Sequence, residues 1–205
     1  MPEWKTMLEK IPYDPAPLKF TPPNKNDVPL EEVFPDVREL LIAKRLEEWG
    51  IDAGKIPIRS SDETVAVMAA YPQGVVYVHI PAMERQYPKD RHQYVILAHE
   101  LAHMLQFVED RVDWKRANIW TTLHEWASLE HERDAVRWQA REAKRMGISQ
   151  QAFESSVIKR GLPLISRELI SLTRPVYAGT YPEEHGVRPM FRRPVRVQRH
   201  LRRKR

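Results

Sequence analysis

The stretch Tyr94 to Gln106 restricts this chain more than any other. Its Val95, Ile96, Leu97, Ala98, Leu101, Ala102 and Leu105 occupy nearly every side of a helix, and a helix apolar all round is a buried one. Within it stand His99, Glu100 and His103, an H-E-x-x-H arrangement. Histidines four apart stack on one helical face, where two neutral imidazoles can hold Zn²⁺ while the acid between them acts as a general base. Burying all three costs free energy unless each finds a partner, and a metal with its water supplies partners for all of them. Two imidazoles leave a tetrahedral shell half filled. The fold must therefore bring a further ligand to this helix.

No cysteine is present, so that ligand must be a histidine or a carboxylate, and neither a disulfide framework nor a thiolate site is available. A second helical pattern runs from about Trp120 to Met146 and stops at Gly147. Leu129, Ala135, Val136, Ala140, Ala143 and Met146 fall on one side of it, and most of its arginines on the other. Glu132 points into the apolar side, where a lone carboxylate calls for a cation. Glu130 and Asp134 project among the arginines and read as a solvated face paired with Arg137 and Arg141. Glu125, two turns before Glu132, is an alternate ligand or a neighbour of one, and His124, with His131, lies nearer the rim; His124 is the alternate imidazole ligand.

His99-Glu100-Leu101-Ala102-His103, followed by Glu132-Arg133-Asp134-Ala135-Val136-Arg137-Trp138-Gln139-Ala140, resembles the gluzincin metallopeptidases. The likeness is to the compact, cytoplasmic kind whose second motif is E-x-x-A-(N/D)-x-(F/W)-x-A, and it covers about residues 56 to 147. It implies His99, His103 and Glu132 as zinc ligands and Glu100 as the catalytic base. The chain departs at Val136, where the pattern has an Asn or Asp that orients a ligand histidine. Glu130 and Asp134 also form the E-x-x-x-D spacing of larger gluzincins, which keeps a register with Glu130 as ligand open. The implied activity is zinc-dependent endopeptidase cleavage of a peptide or protein substrate, with water as the nucleophile and a further donor for the oxyanion among His79, Tyr177, Tyr181 and His185 by type.

Around this site the expected architecture is α+β and mainly helical, a zincin-like domain over residues 31–172 with a small antiparallel sheet. Leu30 to Gly50 reads as one amphipathic helix capped at Asp36. Ile56 to Ser61, Thr64 to Tyr71 and Val75 to Ile80 read as strands, the last two joined by the hairpin chemistry of Pro72-Gln73-Gly74. Val75 to Ile80 is either an edge that accepts an extended peptide or an interior strand. Asp90 is the expected cap of the H-E-x-x-H helix.

Residues 1–30 hold seven of the 17 prolines and form an extended arm. Residues 173–205 form a Pro/Arg-rich tail. From Arg188 to Arg205 there are eight Arg, one Lys and no acid, so this end carries +9 of a net charge of +5 and the remainder sums to −4. Such a field attracts nucleic acid or an acidic partner. Two other functions follow from that tail: a non-catalytic metal-binding scaffold associated with nucleic acid, and a DNA-associated protease of SprT type with His124 as ligand. No apolar run reaches the ~18 residues of a membrane span and no basic-then-apolar leader opens the chain, so a cytoplasmic location is expected.

Overall fold

A computed structural model describes residues 27–60, 68–71, 74–109, 123–159 and 166–180; the arm to residue 26, Tyr181, His185 and the Arg188–Arg205 tail lie outside them. The order is β1 (Val28–Pro29), α1 (Leu30–Val33), a 3₁₀ turn at Val37–Glu39, α2 (Leu41–Glu47), a 3₁₀ turn at Ala53–Lys55, β2 (Pro57–Ser60), β3 (Met68–Tyr71) and β4 (Val75–Val78). There follow α3 (Ile80–Gln86), α4 (Asp90–Val108), α5 (Leu123–Ser128), α6 (Glu130–Arg145), α7 (Gln150–Phe153, running into a π turn over Glu154–Ile158) and α8 (Ser166–Ala178). The mainly helical α+β class is as expected. Among the described residues no helix is long and apolar enough to cross a membrane.

The sheet is mixed, not antiparallel. Its order is β1-β2-β4-β3, with β2 and β4 parallel and the outer pairs antiparallel. Val76 faces Ile58 on one side and Ala70 on the other, so β4 is an interior strand, with β1 and β3 outermost among the described residues, which removes the edge reading of Val75 to Ile80. Burial explains the placement, since Val75, Val76 and Val78 all lose their surface and a strand so apolar needs neighbours on both sides. Tyr71 pairs with Val75 across a three-residue connection whose last residue, Gly74, has φ 74°, the left-handed position such hairpins favour for glycine.

The expected single helix from Leu30 to Gly50 is broken. Pro35 lacks an amide donor, and the chain bends through the 3₁₀ turn before α2 begins at Leu41, so Asp36 caps no long helix. The pattern from Trp120 to Met146 divides too. Leu129 is extended (φ −65°, ψ 129°), Ser128 Oγ donates to the Glu125 carbonyl at 2.7 Å, and α6 starts afresh at Glu130. At the other end α8 continues to Ala178 with Thr173 and Val176 buried, past the expected boundary at 172.

α4 begins at Asp90, one residue after its N-cap at Lys89, and forms the middle of the core. Leu97, Leu101 and Leu105 are fully buried, each worth about 1.5–3 kcal/mol against exposure. Its main neighbour is α6, flanked by α2 and the sheet. This packing holds His99 and His103 against the first turn of α6.

Candidate metal centre

α4 places His99 and His103 one helical turn apart, and α6 brings Glu132 between them. His99 Nε2 and His103 Nε2 are 3.2 Å apart, and Glu132 Oε2 lies 3.3 Å from each. These three form a buried group that could hold a metal ion. Tetrahedral donors on bonds of 2.0–2.1 Å sit about 3.3–3.4 Å from one another, so the triangle has the edge length of one tetrahedral face. Glu132 Oε2 is buried and, although both imidazoles are near, has no aligned hydrogen-bond partner among the described residues. His99 Nε2 and His103 Nε2 are within hydrogen-bond distance of each other, and the three atoms lie close enough together to share one ion. Two imidazoles with one carboxylate suit a borderline transition-metal ion better than the oxygen-seeking Ca²⁺ or Mg²⁺. The residues therefore fit a metal.

Their electrostatics agree. Burial alone would raise the Glu132 pKa, but the His103 charge and the close ring nitrogens of His103, His131 and His99 hold it well below the usual carboxylate range. For His103, burial works downward, yet the Glu132 carboxylate, the Glu100 charge and Gln106 lift it to about 9. A negative oxygen is thus kept ready for a cation, and a proton takes the cation's part at His103.

Around the triangle lie groups for which the sequence pattern gave little warning. Gln106, fully buried on α4, has Oε1 3.0 Å from His103 Nδ1, while its Nε2 donates to the His131 carbonyl at 2.8 Å and to Asp134 Oδ2 at 3.0 Å. His131 is buried, not at the rim, and its Nε2 stands 3.4 Å from Glu132 Oε1, the oxygen turned away from the two imidazoles. Trp126 of α5 stacks on His99, with centroids 6.5 Å apart and planes 24° off parallel. The signal for Gln106 was present: it is three residues beyond His103 on a helix, where side chains meet.

The comparisons with known proteins give no match. Neither a family model, nor a curated protein, nor a solved structure aligns with this chain, so the gluzincin likeness rests on the two sequence motifs.

The alternates separate by position. Glu130 is exposed and bonded to Arg137 at 3.0 Å, as expected for a solvated face. Asp134 departs from that expectation, because it meets Gln106 and so joins the His103 side of the centre. Glu125 is exposed on α5, and the His124 side chain lies outside the described residues. Glu100 is half-buried, next to His99 in sequence. Of the oxyanion donors considered, His79 is the N-cap of α3, and Tyr177 donates to the Ile148 carbonyl at 3.2 Å.

Proposed function

We propose that the protein is a zinc-dependent endopeptidase of gluzincin type, with His99, His103 and Glu132 as ligands and Glu100 as general base. The observation that carries the reading is the donor triangle of 3.2–3.3 Å, buried beside a half-exposed acid. A structural zinc site closes four positions with protein, whereas three protein donors leave one for water or substrate. Zinc, when bound, supplies a Lewis acid for a peptide carbonyl and lowers the pKa of water to about 7. His99 and His103 hold their Nε2 atoms inward from one rigid helix. Glu132 brings its charge from the facing helix, and His131 meets its other oxygen at 3.4 Å. Glu100 takes a proton from the attacking water and delivers it to the leaving amine.

The test is Glu100→Gln. The zinc-loaded wild-type chain is expected to cleave an unfolded protein such as casein, and the variant to keep one zinc per chain while losing cleavage by at least about 100-fold. Cleavage unchanged in Glu100→Gln would sink the reading. One zinc with no cleavage in the wild type would favour the metal-binding scaffold instead.

A further inference from the structure

We propose that Gln106 is the positioning residue of this centre, fixing His103 in the tautomer that carries its proton on Nδ1 and turns the Nε2 lone pair toward the metal. The inference rests on the metal-centre reading above and concerns how one ligand is oriented. Its basis is a hydrogen-bond chain with a single consistent direction. The His131 carbonyl and the Asp134 carboxylate both accept, and both lie within 3.0 Å of one Gln106 side-chain atom, which must therefore be the NH₂ group. The other end of the amide is then oxygen, 3.0 Å from His103 Nδ1. An oxygen without a proton can only accept, so Nδ1 is the donor. With the Nδ1 proton engaged, a neutral His103 is left with its lone pair on Nε2, the atom that faces Glu132 Oε2.

The chain needs such a device from α4. Val136, which stands where the resembled motif carries an Asn or Asp, is fully buried and apolar and can accept nothing. Gln106 is buried to 2% exposure, so its amide cannot satisfy itself in water and is held by its two acceptors on α6. Both acceptors flank Glu132 in sequence, one residue before it and two after. The turn of α6 that presents the carboxylate therefore also aims the imidazole, and the two ligands are set by one contact between helices. His99 is different, for among the described residues its buried Nδ1 has no hydrogen-bond partner, and its ring stacks on Trp126.

The experiment follows zinc affinity by competition with a chelator, together with ¹⁵N shifts of the His103 ring in the zinc-loaded protein. The wild type should show an Nδ1-bound proton protected from solvent exchange and a metal-type shift at Nε2. Gln106→Leu should bind zinc about 10–100-fold more weakly and lose that protection, while Gln106→Glu combined with Asp134→Asn, which keeps an acceptor toward Nδ1 and gives the other oxygen a donor, should recover the Nδ1 proton signal and much of the affinity. Coordination through Nδ1 in the wild type would overturn the proposal even if no variant folds. So would a folded Gln106→Leu protein that binds zinc within threefold of the wild type. A wild-type chain that binds no zinc would instead overturn the metal-centre reading, and this inference with it.

Discussion

Helix α6 buries two carboxylates near its opposite ends, and they are treated in opposite ways. Glu142 is fully buried and satisfied by protein alone: its Oε1 accepts from the amides of Leu41 and Ile42, the latter at 3.2 Å, and its Oε2 accepts from Arg145 Nε at 2.9 Å. It thereby caps α2, whose own N-cap, Leu40, has no side chain able to do so. Desolvation nevertheless lifts the Glu142 pKa, because these donors offset the loss of water only in part. Glu132 meets imidazoles that leave Oε2 unbonded, and its pKa is held low. Burial of an acid is thus no sign of a metal in itself. What distinguishes Glu132 is that the groups gathered around its oxygen are imidazoles, which carry a proton in the metal-free protein and can give a lone pair to a metal, whereas the amides and guanidinium around Glu142 can only donate N–H.

The largest expected contrast comes from deleting each in turn. Glu132→Ala should lose zinc affinity by more than the ~100-fold that outer contacts cost, whereas Glu142→Ala should keep zinc affinity and lose about 2–4 kcal/mol of folding stability, read by chelator competition and urea denaturation. Loss of zinc binding in a folded Glu142→Ala protein would erase the distinction.

The second contrast is in pH, for the metal-free protein. His103, raised from 6.5 to about 9, gives stability that is fully present below 6.5 and lost as pH climbs through about 9. Glu132, lowered from 4.5, gives stability that is present above 4.5 and lost as pH falls through its folded value. Glu142, raised from 4.5, acts the other way, favouring the fold below 4.5 and ceasing to do so as pH rises through its folded value. Differential scanning fluorimetry should show the melting temperature of the metal-free chain falling between about pH 6.5 and 9.5. Glu132→Gln should flatten that fall, since its charge is what lifts His103, while Glu142→Gln should leave the slope alone.

The smallest effect is expected one turn from the centre's edge. Glu130 is paired with Arg137 in water, so Glu130→Ala should change stability by no more than about 0.5 kcal/mol and leave zinc affinity within twofold. A tenfold loss of affinity would reinstate the register with Glu130 as ligand.

What could be read from the sequence was what depends on one helix at a time. The spacing of His99 and His103 and the inward face of Glu132 need only helical periodicity, and the structure brings these three together. The rule that singled out Glu132, that an acid aimed at the core calls for a cation, is incomplete, because Glu142 is as deeply placed and finds its donors on α2. His131 reads as rim from the periodicity of its own helix, and it is buried because its ring meets His103 of α4, a contact between helices. Asp134 was assigned to solvent because its partner, Gln106, lies on another helix. The sheet order was hidden for the same reason: an apolar run such as Val75 to Val78 announces burial, but not which strands flank it.

The cap that Glu142 places on α2 spans 101 residues of chain, so the start of an early helix depends on a late one having docked. The amides of Leu41 and Ile42 are bonded to Glu142 while α6 is in place, and α6 is also what carries Glu132 to the imidazoles. Their hydrogen-exchange rates therefore act as a gauge for the undocking of α6 from α2, legible far from the centre and without any metal or substrate.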